Sequence, residues 1–220
     1  MPKASGPFDS FDNLDKIDIN SVLYWLKTPP APAKLEDYLA NKILYPSAFS
    51  LSIDDMKIDL AILREALRMN GPKPGQKMGP LLGDNPFLNF TLRKIIIPQN
   101  FLRFYPDLVS LTWAFVDGLL LNRKKEDWFG DLWIVVVSDD IDEVVGTVLL
   151  PQFMNLQASL EFNLLGNTYK VRVGSLTVLP CPKERCELSY KVSGGQILGK
   201  NESALEVYGG RLGLMIDGRV

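Results

Sequence analysis

The sequence contains no histidine and only two cysteines, and these shortages exclude several kinds of chemistry. Without histidine, no Ser-His or Cys-His nucleophile pair and no His-ligated metal site can form. A zinc knuckle around Cys181 and Cys186 would need two further ligands, which no other cysteine or histidine supplies. The pair is therefore interpreted as two thiols in a plain loop, and so few cysteines fit a reducing compartment.

A strong excess of charge and a long apolar run are also missing. The formal net charge is −2 and the pI is near 5.3, so electrostatics favours neither nucleic acid nor an anionic membrane as a partner. The first six residues contain no apolar signal-peptide core. The most apolar helix candidate, 106–121, carries Asp107 and Asp117 and is too short to span a bilayer. These features predict a cytoplasmic protein.

The stretch from Pro106 to Leu150 is the centre of the predicted fold. Residues 106–121 are apolar around most of the helix circumference, which predicts a buried helix that begins at Pro106. Residues 132–137 form an unbroken apolar run that ends in four β-branched residues, which is typical of a strand covered on both faces. A helix followed by an interior strand predicts an α/β layer.

Three further helices are predicted upstream of this centre. The segments 18–27 and 35–44 predict short helices on either side of a proline-rich connector. Residues 52–70 predict the clearest helix, because Ser52 and Asp55 resemble a capping box and Asn70-Gly71 is a typical C-terminal cap. Residues 1–16, with two isolated phenylalanines, predict a flexible tail, so the α/β subdomain is placed at 17–150.

Two polar segments each allow a functional and a plain interpretation. The Gly- and Pro-rich segment 71–86 could be a ligand lid carrying Lys73 and Lys77, but it lacks P-loop spacing and favours an ordinary surface loop. Four carboxylates lie within five residues, and they suggest a metal site. Their spacing matches no calcium loop, so a solvated acidic turn is favoured. These carboxylates are Asp139, Asp140, Asp142 and Glu143.

From Pro151 the pattern changes to short β segments separated by glycine-containing turns, which predicts a small β-rich module over 151–220. Gly209-Gly210 is predicted to be the turn of a hairpin that joins strands 204–208 and 212–216, because paired glycines tolerate the positive φ of a tight turn. Asp217 and Arg219 follow the last strand and are predicted to form an exposed end that binds a protein partner.

Three stretches, in the right order, resemble the glutamate-mutase accessory proteins. This MutL-type family is a branch of the actin-like ATPase superfamily. The first stretch is Asp37-Tyr-Leu-Ala-Asn-Lys-Ile-Leu-Tyr-Pro46 followed by Arg64-Glu-Ala-Leu67. The second is the apolar strand at 95–97 with the helix at 106–121 and the strand at 132–137. The most specific is Val173-Gly-Ser-Leu-Thr-Val-Leu-Pro180 with Val207-Tyr-Gly-Gly-Arg-Leu-Gly-Leu-Met-Ile-Asp-Gly-Arg219, which is similar to the terminal "GG.LGLIIDARGRP" of that family.

The resemblance implies only part of a nucleotide cleft. Actin-like ATPases hold nucleotide with Asp- and Gly-rich phosphate hairpins, and this sequence contains no "DxGG(T/S)T". Where the family has glycines after the buried strand, this chain has Pro98-Gln99-Asn100-Phe101, and proline fixes φ and donates no hydrogen bond. Intrinsic ATPase activity, and with it a bound cofactor, is therefore not expected.

The expected fold class is α/β, with a partial actin-like (ribonuclease H-like) ATPase subdomain followed by the β-rich module. The expected function is that of a non-catalytic accessory or assembly protein, similar to the C-terminal half of a cobalamin-dependent mutase accessory protein. Its partner would be a separately encoded N-terminal half or a mutase subunit. Two alternatives remain open: an ATPase subunit whose active site is completed in trans, and a structural protein-interaction module with no small ligand.

Overall fold

The computed structural model describes residues 7–9, 11, 13–70, 93–120, 131–138, 143–182 and 184–219. It shows a mixed α/β protein with several helices and sheets. The chain divides into two compact units, Met1–Gln76 with Pro98–Arg123, and Lys77–Ile97 with Lys124–Val220. The described helices lie in the first, helical unit and nearly all of the described strand residues lie in the second, strand unit. Every helix in the described part of the chain is too short or too polar to cross a membrane.

The helical unit confirms the three upstream helices and shows what starts each one. Asp18 caps α1 by accepting a hydrogen bond from the Asn20 backbone N–H. Pro32 occupies the first turn of α2, and the Ser52 hydroxyl caps α3. The helices are a 3-10 turn at Leu14–Lys16, α1 at Ile19–Tyr24, α2 at Pro32–Leu44, α3 at Ile53–Asn70, α4 at Gln99–Phe104 and α5 at Leu108–Leu120.

Two predictions for this unit were wrong. Phe8 and Leu14 are buried, so the described part of segment 1–16 is not a free tail. The reason is that an apolar ring without helical or strand periodicity can still fill a gap in a core. Helix α5 begins at Leu108 with Asp107 as its cap, two residues later than the predicted start at Pro106, because the Asp107 carboxylate accepts the Val109 N–H.

Helices α3 and α5 pack closely against each other. A Cβ added at Gly118 of α5 would lie 2.6 Å from the Cβ of Leu67 on α3. Glycine is therefore required at this crossing, because any larger residue would force the two helices apart.

The strand unit forms two main sheets. A five-stranded sheet has the order β1-β2-β3-β11-β7, and a four-stranded sheet has the order β10-β8-β5-β6, with a small β4-β9 pair. The main-sheet strands are β1 Arg93–Pro98, β2 Asp131–Ser138, β3 Glu143–Leu150, β5 Ser159–Leu164, β6 Asn167–Arg172, β7 Leu176–Leu179, β8 Arg185–Ser193, β10 Glu202–Tyr208 and β11 Gly213–Asp217. The short pair is β4 Gln152–Phe153 and β9 Gly195–Gln196.

Burial along these strands follows their hydrophobic patterns. Residues 132–137 of β2 are all buried, as predicted for an interior strand. Strand β8 alternates between exposed and buried residues along its whole length, which is the pattern of a strand with one face on the core. The core between the two main sheets includes Leu149, Leu160, Phe162, Leu188 and Leu214.

The predicted hairpin at Gly209-Gly210 was wrong. Strand β10 pairs with β8 in the four-stranded sheet, whereas β11 pairs with β3 and β7 in the other sheet. Gly209-Gly210 is therefore a crossover between sheets. The Thr147 hydroxyl of β3 holds the end of β10 by donating to the Tyr208 carbonyl and accepting from the Tyr208 N–H, at 2.9 and 2.8 Å. Local turn propensity could not show which sheet the next strand would join.

The strand that follows this crossover also connects the two predicted domains, the α/β subdomain at 17–150 and the β-rich module at 151–220. Strand β11 pairs in parallel with β3, so a strand from the predicted β-rich module and a strand from the predicted α/β subdomain share one sheet. The predicted lid at 71–86 with Lys73 and Lys77, and the carboxylates Asp139, Asp140 and Asp142, lie outside the described residues. Glu143 is in β3, where its carboxylate lies 3.2 Å from Arg211.

Candidate interaction surface

The largest departure from ordinary burial lies where α2 passes into α3. Residues 43–53 contain six large apolar side chains in eleven positions, and all six are exposed. Exposed fractions are 40% for Ile43, 69% for Leu44, 65% for Tyr45, 60% for Phe49, 95% for Leu51 and 74% for Ile53. We call residues 43–53 the apolar loop. Scattered apolar residues on a surface are normal, but a clustered set of this kind is typical of a binding surface.

Polar groups hold the apolar loop from its inner side. Lys42, at the end of α2, donates a hydrogen bond to the Ala48 carbonyl at 2.7 Å. The same ammonium lies 2.7 Å from the Asp59 carboxylate on α3, and both side chains are almost completely buried. Ser50 donates to Asp59 at 2.6 Å. Because Lys42 and Asp59 each contact both a helix and the loop, this pair fixes the loop backbone against α2 and α3.

The Asp59 carboxylate is therefore the centre of a small buried network. It accepts hydrogen bonds from Lys42, from Ser50 and from the Tyr38 hydroxyl, the last at 2.9 Å. Burial raises the pKa of Asp59, and the three donors oppose that rise by stabilising the charged form. Three donors occupy three of the roughly four acceptor sites of the carboxylate, which offsets much of the cost of burying its charge.

Two tyrosines lie near the Asp59 carboxylate, and one of them, Tyr38, is hydrogen-bonded to it. Burial, together with the nearby Asp59 charge, raises the pKa of the Tyr38 hydroxyl, which keeps this hydroxyl protonated as a donor. The same two causes raise the pKa of Tyr105, whose ring is fully buried in the same unit. The Tyr105 hydroxyl has no hydrogen-bond partner among the described residues. A raised pKa keeps both phenol groups protonated at neutral pH.

Aromatic and polar contacts fix the loop at its other points. The Phe49 ring stacks on Phe104 of α4 with ring centroids 4.4 Å apart, although the outer face of Phe49 remains exposed. The Ser47 hydroxyl donates to the Asp9 carboxylate at 3.0 Å, and the Lys42 ammonium lies 5.6 Å from the centre of the Phe8 ring. Contacts to α2, α3, α4 and Asp9 therefore hold the apolar loop, while its apolar side chains are exposed.

The loop thus reverses the usual arrangement of polar and apolar groups. In Phe49-Ser-Leu-Ser-Ile53 the serines make hydrogen bonds, one to Asp59 and one that caps α3, whereas the three apolar residues are exposed. Exposed leucine and isoleucine contribute little to folding. Exposed apolar residues at successive alternate positions of a loop are typical of interaction surfaces.

A second charged network lies elsewhere in the helical unit and has a structural role. Arg64 of α3 pairs with the buried Asp117 of α5 at 2.8 Å. Glu65 is also buried, and it accepts a hydrogen bond from the Trp25 indole at 2.8 Å and pairs with Arg68. These contacts join α1, α3 and α5, and they satisfy the charges that the packing buries.

The structure places the predicted partner residues Asp217 and Arg219 together. Their side chains form a two-point ion pair, with Nε to Oδ1 at 2.8 Å and Nη2 to Oδ2 at 2.6 Å. Asp217 is buried within β11 and only Arg219 is exposed, so the expectation of two exposed residues is wrong for Asp217. The physical reason is that β11 is an interior strand with neighbours on both sides. A partner role for Arg219 stays a prediction.

Other predicted features are placed as follows. Pro98 ends β1 and is the N-cap of α4, and Gln99, Asn100 and Phe101 form the start of that helix. The cysteines of the 181–186 loop, interpreted from sequence as ordinary thiols, are buried and have their sulfurs 2.9 Å apart. Within the described ranges no group of three or more Cys, Asp and Glu residues is arranged to hold a metal ion.

Sequence reasoning missed the apolar loop because it looked for helical or strand periodicity and for reactive residues. The signal was nevertheless present as the alternation Phe-Ser-Leu-Ser-Ile immediately before a capped helix. Alternation of this kind predicts one polar and one apolar side, but it does not say which side faces the core.

No family model, no curated protein and no solved structure matches this chain.

Proposed function

We propose that this chain is a non-catalytic accessory or assembly protein whose helical unit binds a protein partner through the apolar loop. The observation that carries the proposal is the arrangement of polar and apolar groups in the apolar loop. Ser50 donates a hydrogen bond to Asp59, and the Ala48 carbonyl accepts one from Lys42. Leu51 and its apolar neighbours are exposed. A loop held in this way loses little conformational freedom on binding, so burial of its apolar area contributes directly to affinity. The partner surface that fits it is apolar.

The identity of the partner is proposed from sequence motifs. The stretches Asp37 to Pro46 and Val207 to Arg219 resemble the mutase accessory family, and they support a mutase subunit or a separately encoded half as the partner. An actin-like origin of the fold is part of the same proposal. The motif helix α5 and the motif strand β2 fall in different compact units, so the first and third motifs are its main support.

The experiment combines photo-crosslinking with a binding measurement. A photoreactive amino acid replaces Leu51, which is 95% exposed, and in a matched control it replaces Leu156, which is 90% exposed but lies in the strand unit. Crosslinking is carried out in cells that express the chain naturally. We expect one protein to be captured from position 51 and not from position 156.

The captured protein is then purified and titrated with three forms of the chain. We expect Leu51→Ser to weaken binding about tenfold or more, as for a central apolar contact, and Leu156→Ser to bind like wild type. Equal capture at both positions, or equal affinity of the two variants, would contradict an interaction role for the loop.

Two outcomes separate the parts of the proposal. Specific capture of a protein unrelated to mutases would overturn the family-based partner and leave the interaction role standing. A reproducible rise in Tm with Mg·ATP would overturn the non-catalytic assignment, because a ligand that binds only the folded state stabilises it by mass action.

A further inference from the structure

The only two cysteines of the chain meet inside the strand unit. Cys181 and Cys186 are separated by four residues in sequence, and their Sγ atoms lie 2.9 Å apart. The two residues are 1% and 6% exposed, and both belong to the hydrophobic core of this unit. A disulfide has an S–S distance of about 2.05 Å, so the sulfurs need to approach by only about 0.9 Å.

The fold holds the two sulfurs together without a covalent bond. Cys181 follows β7 of the five-stranded sheet, whereas Cys186 is the second residue of β8 in the four-stranded sheet. The Cys181 carbonyl accepts a hydrogen bond from the Gly210 N–H at 3.0 Å, and Cys186 lies opposite Val207 of β10. Both ends of the connection between the sheets are therefore tied to β10 and to the crossover that follows it.

We propose that Cys181 and Cys186 form a redox modification site, at which an intramolecular disulfide clamps the connection between the two main sheets. The oxidant is a low-molecular-weight disulfide. One cysteine thiolate attacks it, forms a mixed disulfide and releases one small thiol. The second cysteine attacks the protein sulfur of the mixed disulfide and releases the other small thiol. The protein loses two protons and two electrons, and the oxidant takes them up as it is reduced to two thiols.

The burial of the sulfurs determines how this site reacts. Because neither thiol is accessible, exchange requires a local opening of residues 181–186, so it is slow in the native protein and faster in denaturant below the unfolding transition. Once formed, the disulfide stabilises the strand unit by restricting the unfolded chain. A ring of this small size predicts a rise in Tm of about 4–8 °C.

The test uses the full chain, reduced and then incubated with oxidised glutathione in dilute urea. Remaining thiols are alkylated and the intact mass is measured. We expect a species that has lost two hydrogens, carries no alkyl group and no glutathione, has the raised Tm, and returns to the dithiol form with dithiothreitol. Two alkylated thiols, a covalent dimer, or a stable mixed disulfide in the wild type would overturn the proposal.

The matched controls are Cys181→Ala and Cys186→Ala, each of which retains one thiol. We expect each to stop at the mixed disulfide with glutathione and to show no comparable rise in Tm. A similar rise in either variant would show that the stabilisation does not come from an internal bond, and would also overturn the proposal. If one variant fails to fold, the other variant and the wild-type mass measurement still decide the result.

Discussion

The helical and strand units of this chain differ in how many charged residues they bury and in how their exposed apolar residues are grouped. Among the described residues, Lys42, Asp59, Glu65 and Asp117 are buried in the helical unit, whereas Asp217 is the buried charged residue of the strand unit. The helical unit also exposes the apolar loop, while β8 keeps strict alternation with its apolar side chains on the core. Both units expose some large apolar side chains, Leu156 and Met154 of the strand unit among them, but the apolar loop of the helical unit holds six of them within eleven positions.

The comparison suggests different sources of specificity. A sheet with alternating residues selects its register because a slip of one residue would expose the whole apolar face. Helices can slide and rotate against each other more easily, and a buried ion pair such as Lys42–Asp59 penalises every arrangement that separates the charges. In the helical unit the same pair also fixes the loop that we propose for partner binding.

The most severe test of this comparison removes one buried charge. Asp59→Ala leaves the Lys42 ammonium buried without its carboxylate, and we expect a loss of about 3–5 kcal/mol in the free energy of unfolding. Urea denaturation followed by far-ultraviolet circular dichroism measures the change. The control is Asp54→Ala, which removes an exposed ion pair to Lys57 and should have a far smaller effect. Equal losses in the two variants would show that the buried network does not organise the unit.

A leucine pair sharpens the contrast between buried and exposed apolar side chains. Leu188 of β8 is fully buried, and Leu188→Ala should cost about 2–5 kcal/mol through lost burial and a cavity. The same truncation at Leu51 in the apolar loop should change the free energy of unfolding by less than about 0.5 kcal/mol. Chemical denaturation of both variants checks this prediction. A large loss for Leu51→Ala would mean that the loop contributes to folding rather than being reserved for binding.

A glycine pair gives the smallest effect and tests how closely β7 and β11 approach each other within the five-stranded sheet. Gly213 and Gly166 have similar positive φ values, 75° and 83°. A Cβ at Gly213 would lie 2.3 Å from the Leu179 carbonyl oxygen, whereas a Cβ at Gly166 would meet nothing within 4 Å. Alanine at either site carries the strain of positive φ, so the difference between them isolates the steric contact.

We expect Gly213→Ala to be less stable than Gly166→Ala by about 1–2 kcal/mol, measured by thermal or urea unfolding. Equal stabilities would mean that β7 can move away from β11 without cost. The close approach of these two strands would then not be what holds the crossover in place.

Local sequence was sufficient to predict most of the individual helices and strands. The helix at 53–70 was predictable because Ser52, its cap, lies next to it in sequence and satisfies its free N–H groups. The β-branched run of β2 was predictable because an unbroken apolar strand is stable only when both faces are covered. Local patterns failed for Phe8 and for Gly209-Gly210, because the partners of these residues are distant in the chain.

The candidate sites depended on tertiary structure. Lys42 and Asp59 lie on different helices, and nothing local indicates that their charges meet or that the apolar side of residues 49–53 faces outward. The two cysteines were visible in the sequence, but nothing local shows that their sulfurs approach each other. That approach depends on the end of β7 and the start of β8 lying in different sheets, and on the hydrogen bond between Cys181 and the crossover at Gly210. By itself, the sequence determined the helix caps, the alternation of the strands and the exclusion of histidine chemistry, since these depend on neighbouring residues and on composition. Only the tertiary structure decided which charges are buried together and which apolar residues are left exposed, because the free energy of burial depends on contacts between distant parts of the chain.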